Sequence, residues 1–277
     1  MPDPHPKISV IVATRDRVEL LRTCVNGVLH ETDYPDIEVI IADNDSCEAG
    51  TLDYMERAQA DPRVRVVRWP HPFNYSAINN FAARSATGEY LCLLNNDIEV
   101  IEPDWLSEMV REAVQPGVGA VGARLLYPDR SIQHAGVAIG IGNAAGHAHR
   151  GLPQGVPGYF AQALIARGAT AVTGACLLVS KGHFDAVGGL DEHALAVAYN
   201  DVDFCLKLRE LGLANIYTPV STLIHHESKS RGFDFAPEHL ARYMSELAVF
   251  QKRWGTRRAI DPWHHSKLDR NDEKFGM

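Results

Sequence analysis

The chain is poor in cysteine, in positive charge and in long apolar runs, and each shortage removes a class of function. Its five cysteines, Cys24, Cys47, Cys92, Cys176 and Cys205, are odd in number, widely spaced and form no C-x-x-C pair. That pattern argues against a disulfide framework or a structural zinc site and fits free thiols in a reducing compartment. No stretch reaches the roughly 18 apolar residues of a membrane-spanning helix, and Met1 to Lys7 lack the apolar core of a signal peptide. With 27 Lys and Arg against 35 Asp and Glu, the formal charge is −8, so nucleic acid is not expected as the main partner. Glycine is plentiful, yet no G-x-G-x-x-G follows the first strand and no G-x-x-x-x-G-K-[ST] occurs. This counts against dinucleotide and Walker-type phosphate sites. The expectation is a cytoplasmic protein with at most peripheral contact with the inner face of a membrane.

What the chain does contain is alternation. Apolar strands are expected at Ile8 to Ala13, Ile37 to Ala42, Val64 to Val67 and Tyr90 to Leu94. Helical spacing intervenes at Glu19 to Leu29, Leu52 to Gln59 and Tyr75 to Ser85. Strands alternating with helices predict a doubly wound, mostly parallel sheet with helices on both faces. The second half is less regular: strands at Val118 to Leu126 and Thr170 to Ser180, helices at Asp201 to Leu211 and Ala236 to Trp254. The Gly136 to Gly158 stretch holds Gly140, Gly142, Gly146, Gly151, Gly155 and Gly158 and reads as a mobile loop over a site. From Thr256 on, the chain reads as a loosely docked tail. One domain over 1–255 is expected, with a nucleotide-binding half at 7–100, an acceptor half at 101–235 and the tail at 256–277. Trp105 is expected in the core.

Acidic residues punctuate the pattern: Asp43 and Asp45 after the second strand, Asp97 after the fourth, Asp201 and Asp203 at a later helix start. In a doubly wound sheet the first two groups share the carboxyl edge, where such folds bind ligands. A carboxylate-lined edge repels bare phosphate, so a phosphorylated substrate there requires a cation. A hard divalent ion bridging to phosphate needs only one or two such ligands.

Eight blocks, in order, resemble family 2 glycosyltransferases over roughly residues 7 to 232. They are Ala13-Thr14-Arg15, Val39 to Ser46, Asn79-Asn80 through Tyr90, Leu94-Asn95-Asn96-Asp97, Val172 to Cys176, Gly188 to Glu192, Asn200 to Asp203, and His225 to Ser228. The segments Phe73 to Ser76 and Gln133 to Gly136 resemble the bacterial polysaccharide enzymes of that family, including rhamnosyltransferase-like members. The resemblance implies a GT-A fold and inverting transfer from a UDP- or dTDP-linked sugar to a glycan or lipid-linked saccharide, assisted by Mg2+ or Mn2+. Carried over by position, Asp97 ends the family's metal-binding D-x-D motif, in which Asn95 here replaces the first Asp. Thr14, Arg15, Asp43, Asp45, Asn80 and Asn96 fall at nucleotide-binding positions. Asp201 falls on the general base, after Asn200 where the family has Glu, with Asp203 close enough to contest the role. His226 is the candidate third metal ligand or diphosphate contact, with His225 the alternative. Lys229 and Arg231 are candidates to grip the diphosphate, and His134, His147 and His149 to line the acceptor cleft.

Overall fold

The computed structural model describes residues 5–226 and 237–276. Strand β1 (Ile8–Thr14), helix α1 (Val18–His30), β2 (Ile37–Asp43), α2 (Ala49–Ala58), β3 (Val64–Arg68), α3 (Tyr75–Ala83) and β4 (Tyr90–Asn95) alternate as the sequence predicts. Strand β1 pairs in parallel with both β2 and β4, and β3 extends the sheet beyond β2. Both faces of these strands are covered, and successive side chains divide between two cores. Ile8, Val10 and Val12 pack with Leu21, Val25 and Trp105 on one side. Ile11 packs with Ile78 and Ala82 on the other. Each such side chain taken from water contributes about 1.5–3 kcal/mol, which is why continuous apolar runs, rather than alternating ones, form these strands. Trp105 is fully buried, and its indole N–H donates to Thr32 Oγ1 at 2.9 Å.

The second half continues with β5 (Ile98–Val100), α4 (Trp105–Ala113), β6 (Val118–Leu126), β7 (Ile132–His134), β8 (Val137–Ile139) and β9 (Ala145–His147). Then come β10 (Arg167–Ala169), β11 (Cys176–Ser180), α5 (Lys181–Ala186), α6 (Asn200–Glu210), β12 (Ala214–His225) and α7 (Pro237–Trp254). The sheet runs β10-β12-β6-β11-β4-β1-β2-β3, with β5 and β7 paired onto β12 and β6. Here it is mixed: β11 is antiparallel to both β4 and β6.

Three expectations change. The strand expected over Thr170 to Ser180 is split: Val172 lies over Gly122, and the chain turns at Gly174-Ala175 before entering the sheet at Cys176. The Gly136 to Gly158 stretch is no open loop: β8 and β9 form a hairpin, and Gly140 and Gly142, both at positive φ, make the tight turn between them. The tail is docked on that hairpin. Asp261 Oδ2 accepts the Ile139 N–H, Glu273 Oε1 accepts the His147 N–H, and Leu268 and Phe275 are buried beside Ile141 and Ala148.

Candidate active site

The parallel register places Thr14 opposite Asp43, and Ala13 opposite Asn95, so three strands end along one edge. Asn96, in the turn after β4, donates its amide N–H to Thr14 Oγ1 at 3.0 Å and is buried. Asp43 is buried, accepts the Ser46 N–H at 3.0 Å and closes an Asx-type turn. Asp45, in the left-handed region, is exposed and paired with Arg68 at 2.7 Å. Arg15 is exposed beside this edge. Asp16, which sequence reasoning passed over, fastens the two loops together: its Oδ1 accepts the N–H groups of Cys47 and Glu48, and its own N–H donates to Ser46 Oγ.

Asp97 is buried, and its Oδ1 lies 3.0 Å from His225 Nε2. Gln133 Oε1 meets the other ring nitrogen of His225 at 2.9 Å, and the Asn95 amide lies 3.3 Å from Nε2. Burial alone would raise the Asp97 carboxyl, but the hydrogen bond and charge of His225 outweigh it and hold it below the usual carboxylate value. His225 therefore faces Asp97, while His226, the first candidate, turns its Nε2 to Glu99 at 2.7 Å. His226, just past the end of β12, also donates its backbone N–H to the Asp97 carbonyl at 3.0 Å, so both histidines lie against Asp97. Lys229 and Arg231 lie outside the described residues.

Asp201 sits in the first turn of α6, partly exposed. Its Oδ2 accepts the Gly174 N–H and its Oδ1 the Val202 N–H, both at 2.8 Å. The next residue after Gly174, Ala175, accepts the backbone N–H of Asn95 at 3.0 Å, which ties the Asp201 loop to the strand end that carries Asp97. Tyr75 Oη donates to the Gly174 carbonyl from α3. Gly174, Tyr75 and Gln133 carried no signal as site residues in the sequence beyond their place in matching blocks. Asp203 is fully buried, and its Oδ1 accepts from Arg253 at 2.7 Å and from the Trp254 indole at 2.9 Å. It braces α7 against α6. Asn200 is likewise committed, donating to Ser76 Oγ at 3.0 Å.

Asn80, on α3, is engaged by the loop that follows α5. Its amide donates to Leu190 O and Glu192 Oε2 and accepts the Leu190 N–H, which holds the 189–192 loop on α3. His134 and His149 are buried rather than lining a cleft. His134 Nδ1 meets His147 Nδ1 at 2.9 Å, and burial with neighbouring positive charge drives its pKa well below the ordinary value. Among the described residues, no three His, Cys, Asp or Glu side chains converge as a metal cage, and no helix is long and apolar enough to cross a membrane.

Comparison with known proteins bears on this edge. A protein of Sinorhizobium fredii NGR234, y4gI, itself uncharacterised, is 48% identical over 96% of this chain. The O-antigen biosynthesis protein RfbC of Myxococcus xanthus is 42% identical over 95%. The chain spans 30% and 20% of those two relatives' lengths. The solved mannosyltransferase PcManGT from Pyrobaculum calidifontis, in complex with GDP-Man and Mn2+, matches with a TM-score of 0.66 at 21% identity, over 94% of this chain and 67% of that one. At that identity the likeness speaks to the fold, which is GT-A. The model of glycosyl transferase family 2 matches residues 9–187, more than half of the chain, and the chain belongs to that family.

Proposed function

We propose that the chain transfers a sugar, with inversion, from a UDP- or dTDP-linked donor to a glycan or lipid-linked saccharide during bacterial polysaccharide assembly. Family membership supports the transferase class, and the likeness to an O-antigen biosynthesis protein supports the acceptor class. The observation that carries the reading is the link from Asn95 N–H to Ala175 O and from Gly174 N–H to Asp201 Oδ2. It holds one carboxylate beside, but apart from, the carboxylate of the donor edge.

In the proposed step, the bond between the anomeric carbon and the diphosphate oxygen breaks as the acceptor oxygen bonds to that carbon from the opposite side. The acceptor's hydroxyl proton passes to Asp201, and the nucleoside diphosphate leaves. One carboxylate suffices, unlike in glycoside hydrolysis. Asp201 accepts two N–H bonds and keeps lone pairs for that proton. Thr14, Arg15, Asp43, Asp45 and Asn96 would hold the nucleoside.

The donor set at Asp97 fits a divalent cation. In the tautomer where His225 Nδ1 donates to Gln133 Oε1, Nε2 keeps a lone pair on the Asp97 side. That nitrogen and the Asp97 carboxylate, 3.0 Å apart, would then both offer lone pairs to one cation. Asp97 and His225 would hold Mg2+ or Mn2+, with Asn95 beside them, leaving the remaining positions to phosphate and water. Such an ion neutralises charge on the departing diphosphate.

Calorimetric titration of UDP and dTDP with Mn2+ or with EDTA, on the wild type and on Asp97→Ala, tests the donor half of this reading. Mn2+ should tighten binding in the wild type alone. Equal affinity in every condition would overturn the metal assignment.

A further inference from the structure

Six of the twelve large apolar side chains exposed among the described residues come from two segments, 156–165 and 260–263. Phe160 is 81% exposed, Ile260 80%, Ile165 48%, Leu164 41%, Val156 39% and Trp263 37%. The two segments lie against each other. Gln162 Nε2 donates to the Trp263 carbonyl at 3.1 Å, the Trp263 ring covers Gly168, and the rings of Tyr159 and His265 are 6.4 Å apart. Phe160 and Ala161 both adopt left-handed backbone angles, an uncommon conformation for a bulky residue, and the Phe160 ring is left outside the core.

The segment that carries Ile260 and Trp263 is basic, although the protein as a whole is acidic. From Lys252 to Lys267 the chain carries five Lys and Arg and a single acidic residue, Asp261. Asp261 is buried and accepts the N–H groups of Ile139 and Trp263. Arg253 is engaged by Asp191 and Asp203. Lys252, Arg257, Arg258 and Lys267 are exposed and make no ion pair among the described residues.

We infer that this face is a docking surface for an anionic lipid bilayer. Exposed aromatic and aliphatic side chains enter the boundary between headgroups and acyl chains, and a cluster of cations supplies the second attraction that stable peripheral binding needs. A second copy of the chain fits less well: a two-fold contact through this patch would set its cations against their own copies. The surface goes beyond the proposed reaction and does not depend on it. Its place beside the 136–150 hairpin would bring the acceptor half of the enzyme to a membrane.

Co-sedimentation of the protein with vesicles tests this, using phosphatidylcholine alone or mixed with phosphatidylglycerol, at low and high salt. Binding to the mixed vesicles and release by salt are expected. Arg257→Gln with Arg258→Gln should lower partitioning about 25-fold, roughly fivefold for each cation near the surface. Phe160→Ser with Ile260→Ser should lower it tenfold or more by removing apolar area from the lipid contact. Leu52→Ser, an exposed apolar change on α2, should leave it unaltered. No binding, equal binding to neutral vesicles, or retention by both double variants would overturn the proposal. So would self-association without lipid that Phe160→Ser abolishes, since the patch would then be an interface between copies.

Discussion

The two halves of the molecule hold their candidate groups by different means. Around β1, β2 and β4 the backbone ladder does the positioning: Thr14, Asp43 and Asn95 arrive at one edge because their strands are in register. Around α6, position depends on single side-chain bonds, Gly174 N–H to Asp201 and Arg253 with Trp254 to Asp203. Ladders tolerate changes of side chain, because the bonds belong to the backbone. The second half should therefore be the more sensitive to point substitution.

The largest expected effect is catalytic. Asp201→Asn should lower turnover by about 10² to 10⁴, the usual contribution of a positioned base, while donor affinity measured calorimetrically stays close to wild type. Asp203→Asn should retain turnover in whatever fraction folds. The opposite outcome would move the base to Asp203.

Next is a contrast in stability. Asp203→Ala leaves the Trp254 indole without its buried acceptor and Arg253 with Asp191 alone, and losing buried hydrogen bonds of this kind typically costs about 1–3 kcal/mol. Asp45→Ala, which breaks an exposed pair with Arg68, should leave stability close to wild type. Denaturant melts of the two variants provide the comparison; equal losses would remove the distinction between the halves.

Acid should also separate them. Burial and the charge of Arg167 push His149 down to about 4 from an ordinary 6.5, and His134 is lowered too. The unfolded chain therefore binds more protons than the folded one in that window. The stability from keeping these rings neutral is complete above their unfolded value and lost as pH falls towards the folded one. Glu38, on β2, is the other case. Burial would raise its pKa, but bonds from Ser9 and Thr87 and the charge of Lys7 outweigh it and hold it below the ordinary 4.5, so its contribution is lost only in stronger acid. His149→Phe should remove about 2–3 kcal/mol of the dependence between pH 6.5 and 4, provided its melts are compared with wild type at each pH. An unchanged slope would show that His149 charges without penalty.

The smallest effect concerns Gln133. If it orients His225, Gln133→Leu should weaken Mn2+ binding in the presence of UDP by about 10- to 100-fold, the usual consequence of losing an outer partner of a metal ligand. Unaltered Mn2+ affinity would show that His225 needs no such support.

How far the sequence was legible follows the same division. The first four strands could be read from apolar runs because both faces of those strands are buried, and the edge residues followed from the strand ends. His225 and His226 could not be separated, since their facing depends on how β12 pairs with β5 and β6 far away in sequence. Asp203 could be told from Asp201 only through Arg253 and Trp254, some 50 residues on. The Gly136 to Gly158 stretch misled because glycine serves fixed tight turns as well as mobile ones, and Gly140 and Gly142 are of the first kind. In the tail, a few apolar anchors, Leu268 and Phe275, are too sparse among charges to register as a pattern.

The brace between Asp203 and the end of α7 also imposes a timetable. A chain emerging from the ribosome presents its N-terminal elements first, and β1 to β4 need nothing downstream of β4 to pair with one another. The helix bearing Asp201 gains this brace only when Arg253 and Trp254 have been synthesised and folded back. A nascent chain can thus pair the strands of the carboxyl edge well before α6 is fully braced, so the second half of the molecule is completed last.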